Sequence, residues 1–276
     1  MADHGVGISR PKLSSKPAPK IETRNVCRIY DTVSGPTTVV DDFSLDVADG
    51  EFVCIVGPSG CGKSTYLRML AGLDTHSSGS IYIRPGDDPT KPLNSVVFQE
   101  YAVFPWKTVI ENVAFGLQMR GVGKAERLRV ADHWLERVGL RKFAHYYPSE
   151  ISGGMKQRVS IIRALANDPE VLLMDEPLGA LDAQTRIVLQ AELLRIWQET
   201  RKTVVFITHS LDEAILLGDR VVLMAAHPGR LLASFPIDIA RPRTVETMNT
   251  PKFAELRGAI WSQLSREVTR AMEMQA

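Results

Sequence analysis

The sequence has no apolar run near the ~20 residues that a bilayer-spanning helix needs. Its longest candidates, residues 171–174 and 221–226, are strand-length. The first residues lack the apolar core of a signal peptide. Cysteine is scarce: Cys27, Cys54 and Cys61 are all there are. They form neither a metal-ligand spacing nor an even disulfide framework, which suits a reducing cytosol. Net charge is nearly absent as well. With 33 Lys+Arg against 32 Asp+Glu the chain carries +1, so no overall basic field draws it to nucleic acid or to an anionic membrane surface. Internal repeats are missing too. A membrane role therefore needs a partner that supplies the span. The 276 residues, 44% hydrophobic, suffice for one large α/β domain or one domain with an insertion.

What is present is organised around Gly57-Pro58-Ser59-Gly60-Cys61-Gly62-Lys63-Ser64-Thr65. It follows the apolar run Phe52–Val56 and precedes a helical pattern at residues 66–70. Strand, glycine loop and helix form the context in which G-x-x-x-x-G-K-[ST] reads as a phosphate-binding P-loop rather than an ordinary strand–turn–helix junction. Successive backbone N–H groups must converge on a polyanion, and glycine permits the angles while leaving no side chain in the way. The helix N-terminus adds partial positive charge. In this reading Lys63 reaches the β/γ-phosphates of a nucleotide and the Ser64 hydroxyl ligates Mg²⁺. Cys61 lies inside the loop. A thiol near a helix N-terminus can have a lowered pKa, so Cys61 is either a reactive thiol whose alkylation blocks nucleotide or an inert small residue.

Taken in order, residues 1–20 are rich in Ser, Pro, Lys and Gly without apolar periodicity and read as a disordered tail. Residues 21–30 are strand-like, Ser34-Gly35-Pro36 marks a turn, and residues 43–47 alternate. An antiparallel sheet thus precedes the glycine loop. After the loop's helix, residues 79–83 read as an edge strand and 95–98 as a buried one. Residues from about 108 to 163 turn helical, with Leu128, Ala131, Leu135 and Val138 on one face. Strands at 171–174, 203–207 and 220–224 flank a helix over 183–200, which implies a mainly parallel sheet with covered faces. A further amphipathic pattern runs over residues 253–264.

Val171-Leu172-Leu173-Met174-Asp175-Glu176 is an apolar strand ending in two acids. Active groups of parallel sheets gather at strand carboxyl ends, where the glycine loop also lies. Asp175 there fits the acid that holds Mg²⁺, and Glu176 fits a base for an attacking water, against the plain alternative of a solvated turn acid. Ile151-Ser152-Gly153-Gly154-Met155-Lys156-Gln157-Arg158 opens another helix, with Ser152 as N-cap and two glycines baring its start. It is a second anion site or simply a capped helix.

This run, followed by Val-Leu-Leu-Met-Asp-Glu-Pro-Leu-Gly-Ala-Leu-Asp, resembles the signature, Walker B and D-loop sequence of ATP-binding cassette (ABC) ATPases. The resemblance extends from about Ile21 to the C-terminus. Residues 104–113, and 220–224 leading into His227-Pro228-Gly229-Arg230, look like the nitrate/sulfonate/taurine importer branch. The resemblance implies an α/β P-loop NTPase (RecA-like) core over 21–240, with an N-terminal antiparallel β subdomain, a helical subdomain inserted at about 100–163, and a helical extension over 241–276. It implies roles at matching positions. Tyr30 stacks on adenine, where a packing tyrosine is the bland alternative. Gln99 senses Mg²⁺ and the attacking water, Asp182 closes a D-loop across a dimer interface, and His209 contacts the γ-phosphate, where a capping or core histidine is the bland alternative. Ser152, Gly153 and Gly154 contact the γ-phosphate of ATP held by a second copy. Met155 replaces the more usual Gln, and Ser210 the common Asp after the histidine.

The partners implied are a second copy of the chain, transmembrane permease subunits and, indirectly, an external solute-binding protein. Nucleic acid is not among them, and the place implied is the cytoplasmic face of the inner membrane. The competing class is a soluble cassette ATPase acting on nucleic acid. Its members carry long coiled-coil insertions, for which the spacing from Gln99 to Ser152 leaves no room.

Overall fold

The structure, a computed structural model, describes residues 18–273. Two kinds of strand give two sheets. β1 (Ile21–Thr32), β2 (Gly35–Val47) and β4 (Ser78–Ile83) mix buried with exposed positions and pair antiparallel in the order β2-β1-β4, as a sheet with one solvated face does. β3 (Phe52–Val56), β6 (Val171–Asp175), β7 (Thr203–Ile207) and β8 (Arg220–Met224) are apolar almost throughout and run parallel. With β5 (Asn94–Val97) and β9 (Leu231–Pro236) they make a six-stranded sheet, β5-β6-β7-β3-β8-β9, in which β9 alone is antiparallel. The fold is α/β, as the resemblance implies.

The two-residue period of these strands divides the interior. Phe52, Cys54, Leu172, Met174, Val204 and Phe206 point to a core shared with helices. Their neighbours Val53, Ile55, Leu173, Val205 and Ile207 point to the other, shared with α1 (Lys63–Leu70) and the antiparallel sheet. The helical side holds α2 (Val109–Met119), α3 (Lys124–Arg137), α4 (Gly153–Ala166), α5 (Ala183–Thr200) and α6 (Leu211–Leu217), with α7 (Pro251–Glu273) at the end. Thr108 and Glu111 start α2 with a capping box, the Thr108 N–H donating to Glu111 Oε2 at 2.9 Å.

Several expectations change. The strand at 95–98 is not buried: β5 is the edge of the larger sheet, only Val97 is buried, and Phe98 lies exposed beyond it. β2 begins at Gly35, so the polar stretch before residue 43 is strand as well. Two elements escape the sequence reading, α6 and β9, and α7 runs on to Glu273. Of the expected tail, residues 1–17 lie outside the described residues. Lys20 is held, its N–H donating to the Val47 carbonyl at 2.7 Å and its ammonium to Glu170 Oε2 at 2.5 Å.

Candidate nucleotide site

Parallel strands deliver their carboxyl ends to one edge of the sheet, and the loops there carry the site. β3 runs into the glycine loop, which ends with Gly62 at φ 92° as the N-cap of α1, a backbone angle that favours glycine. Lys63 is buried. Its ammonium donates to the Gly57 carbonyl at 2.9 Å and the Pro58 carbonyl at 2.8 Å. Ser64 Oγ donates to Asp175 Oδ1 at 2.9 Å, which joins the start of α1 to the end of β6.

Burial pushes the Asp175 carboxyl above its ordinary value; the Ser64 hydrogen bond opposes this and the charge of Glu176 adds to it. A hydroxyl and a carboxylate are the hard oxygen donors that Mg²⁺ takes beside phosphate oxygens and water. A cation here would favour the ionised form that burial disfavours, so the residues fit the ion. Among the described residues no group of three or more His, Cys, Asp or Glu could hold a metal, so nucleotide oxygens would have to complete its shell.

Register sets the next pair. Asp175 faces Ile207 across β6 and β7, and the Glu176 N–H donates to the Ile207 carbonyl at 3.0 Å. Glu176 takes a left-handed φ of 43°, uncommon for a side chain of its size. Its Oε2 lies 3.2 Å from Nδ1 of His209, whose ring is more than half exposed. A buried network fixes the turn beneath that ring. The Thr208 hydroxyl donates to Glu213 Oε2 at 2.6 Å and accepts from the Ser210 N–H at 3.0 Å, while Gln190 donates to Glu213 Oε1 at 3.2 Å. Ser210 Oγ accepts from the Glu213 N–H at 3.3 Å. Ser210, standing where the family more often has Asp, therefore caps α6.

The loop after β8 packs on the glycine loop. The Gly229 N–H donates to the Val39 carbonyl at 2.9 Å, its carbonyl accepts from Asp41 at 3.0 Å, and a Cβ on Gly229 would stand 2.1 Å from the Cys61 carbonyl. Sequence reasoning used this Pro-Gly turn only as a mark of resemblance. Cys61, whose carbonyl it packs on, is fully buried, and burial raises its thiol pKa despite the opposing Lys63 charge, which favours the inert residue over the reactive thiol. The reactive-thiol expectation is corrected. The helix N-terminus is close, but burial outweighs it.

Other expected residues lie apart. Tyr30 donates its hydroxyl to Asp74, and the Arg28 guanidinium sits 4.2 Å from its ring centre; neither Arg28 nor Asp74 was singled out from sequence. Gln99 is exposed just past β5 and lines a cleft of ~870 Å³ with Tyr101, Pro105, Pro148 and Lys156. Ser152 caps α4, its Oγ accepting from the Met155 N–H at 3.3 Å. Asp182 caps α5 through the Thr185 N–H at 3.0 Å. A Cβ on Gly154 would meet Thr185 Cγ2 at 2.6 Å, so the Ser152 turn and the Asp182 turn form one patch.

A family model described as "ABC transporter" matches residues 40–179, from β2 through the glycine loop and past Glu176. The chain belongs to the ABC transporter family. The cassette is 50% identical over 246 residues to an ATP-binding protein of Brucella abortus, a match covering 88% of this chain and 92% of that one. It is 44% identical to the nitrate import ATP-binding protein of Synechococcus elongatus, over 84% of this chain and 86% of the relative. It is also 44% identical to the bicarbonate transport ATP-binding protein of the same organism, over 90% and 92%. Among solved structures it is similar to a dimeric ATP-binding cassette in a post-hydrolysis state bound to ADP and Pi, with a TM-score of 0.69 and 32% identity. That match covers 80% of this chain and all of that one. The protein is thus an ATP-binding P-loop ATPase of an importer-type family, and its structural relative is a dimer.

Proposed function

We propose that this ATPase is the peripheral motor of an importer for a small solute, with nitrate, a sulfonate or taurine as candidates. It works as two copies bound to transmembrane permease subunits at the cytoplasmic face of the inner membrane. The two relatives with named solutes handle nitrate and bicarbonate, which favours a small oxyanion. Among the described residues no helix is long and apolar enough to cross a membrane. The permease would dock in the cleft at Gln99, Tyr101 and Lys156, beside which Trp106 stands 71% exposed.

The observation that carries the reading is the division of the site into two patches. Lys63, Ser64, Asp175, Glu176 and His209 gather at the strand ends, while Ser152, Gly153, Gly154 and Asp182 gather at the starts of α4 and α5. Among the described residues no side-chain hydrogen bond joins the two patches. One patch holds and attacks the phosphates; the other offers bare amides at a helix start, suited to an anion. A second copy, turned face to face, brings its Ser152 patch over the first copy's phosphates and excludes water.

Within that closed site the residues have distinct tasks. The glycine loop, residues 57–65, and Lys63 cradle the β/γ-phosphates, and Tyr30 carries adenine. Glu176 accepts the proton of the attacking water, and His209, held by the Thr208–Glu213 network, reports the γ-phosphate. Ser64 and Asp175, with Gln99 beside the attacking water, would hold Mg²⁺, which would neutralise phosphate charge. ATP joins the copies and its hydrolysis releases them, a two-state switch able to drive a permease.

Glu176→Gln tests this. It should bind ATP with unchanged affinity, lose turnover by about 10²-fold or more, and accumulate as an ATP-bound dimer in light scattering. Near-normal turnover would remove Glu176 from the base's role and overturn the reading.

A further inference from the structure

α7 turns Phe253, Ile260 and Leu264 into the core, yet Trp261, beside Ile260, is 54% exposed. It lines a cleft of ~430 Å³ between α6 and α7 whose other walls include His209, Leu211, Asp212, Arg257 and Leu264. A Cβ on Gly258 would meet nothing within 4 Å, so the α7 wall leaves room for an incoming side chain. Arg257 and Asp212 face each other with an unfinished contact. Arg257 Nη1 stands 3.7 Å from Asp212 Oδ1, beyond hydrogen-bond reach, and that oxygen is shielded from solvent without a hydrogen-bond partner. Both side chains remain about half exposed.

We infer that this cleft is a second contact between the two copies of the chain, with Trp261 as its anchor. The inference rests on the nucleotide-sandwich reading and deepens it by naming what else the dimer buries. Three observations select a second copy as occupant. His209, a residue of the sandwich itself, is part of the cleft wall, so the surface continues the interface that ATP closes. The patch also carries one cation and one anion, a self-complementary set of the kind a two-fold contact can use: Arg257 of one copy meets the partner's Asp212, and the reverse. Finally, an exposed Trp beside an Arg, over a concave apolar floor, has the composition of an interface hot spot. The permease-facing cleft lies on other elements, around Gln99 and Lys156. Closure of the nucleotide site and seating of Trp261 are then one event, and α7 ties dimer affinity to the loop that bears His209.

The test uses the full chain carrying Glu176→Gln, with ATP, in sedimentation velocity. Trp261→Glu should weaken the dimer by about tenfold or more while ATP affinity of the monomer stays unchanged; Trp261→Phe should keep most of the dimer. Asp212→Arg and Arg257→Asp, each alone, should dimerise poorly, because each presents like charges across the two-fold. Mixing the two variants should restore a heterodimer near the parent's strength, which a pair confined within one chain would not do. A parent-like dimer for Trp261→Glu, or no recovery on mixing, overturns the contact. A parent that stays monomeric with ATP overturns the sandwich reading itself, and the contact with it, so the two failures are told apart.

Discussion

Arg243 sits inside the protein, 4% exposed, and forms none of the ion pairs seen among the described residues. Its Nε donates to the Ile239 carbonyl at 3.0 Å and its Nη2 to Ile237 at 3.0 Å. Nη1 donates to Ile215 at 3.0 Å and Gly218 at 2.5 Å. The guanidinium thus caps the carbonyls that α6 leaves open at its C-terminus, and it binds the chain after β9 to that helix. Burial pulls its pKa down to about 10, so it stays charged at neutral pH. Arg243→Met keeps the apolar stem and removes every donor. Four buried carbonyls, those of Ile215, Leu216, Gly218 and Ile237, lose this partner at roughly 1–3 kcal/mol each, while relief of the buried charge returns several kcal/mol. The orphaned acceptors win, leaving a net loss of about 3 kcal/mol. Tryptophan fluorescence in a urea titration measures it; with m near ~3 kcal/mol/M the midpoint should fall by about 1 M. Arg243→Lys should recover less than half, since one ammonium cannot span four acceptors set for a planar fork. A midpoint shift under about 0.3 M for Arg243→Met would refute the claim that these bonds outweigh desolvation.

Two further outcomes follow from charge and burial. Because burial raises the Asp175 pKa, ionisation there is penalised in the folded state, so nucleotide-free stability falls as pH rises above the ordinary carboxyl value of 3.8. Asp175→Asn removes that penalty. It should raise Tm without nucleotide while abolishing turnover; a lower Tm would contradict the sign. Cys61, buried with a raised pKa, should react with a thiol reagent at least about 10²-fold more slowly than half-buried Cys27. Equal labelling rates in the folded protein would sink this assignment.

Much of the sheet was legible in the sequence because its central strands are buried on both faces. Residues 171–174 and 204–207 therefore read as unbroken apolar runs. β5 carries a similar run, but nothing local reveals that it has a neighbour on one side only. Leu211–Leu217 hid for a related reason: five of its seven residues are buried, so no polar face marks a helical period. Motif spacing named the loop and the acids, and the family resemblance the histidine. What it could not report was long-range contact: the turn at Gly229 packs on the Cys61 carbonyl, and Asp74, far along the chain, takes the Tyr30 hydroxyl.

The hold that Lys63 has on Gly57 and Pro58 changes what nucleotide capture means. The ammonium does not wait free in solvent; the loop's own carbonyls are its counter-ligands. A phosphate oxygen must displace them, so binding is a ligand exchange whose gain is a difference between two sets of contacts. The charge on Lys63 is in this sense compensated by the loop's own backbone.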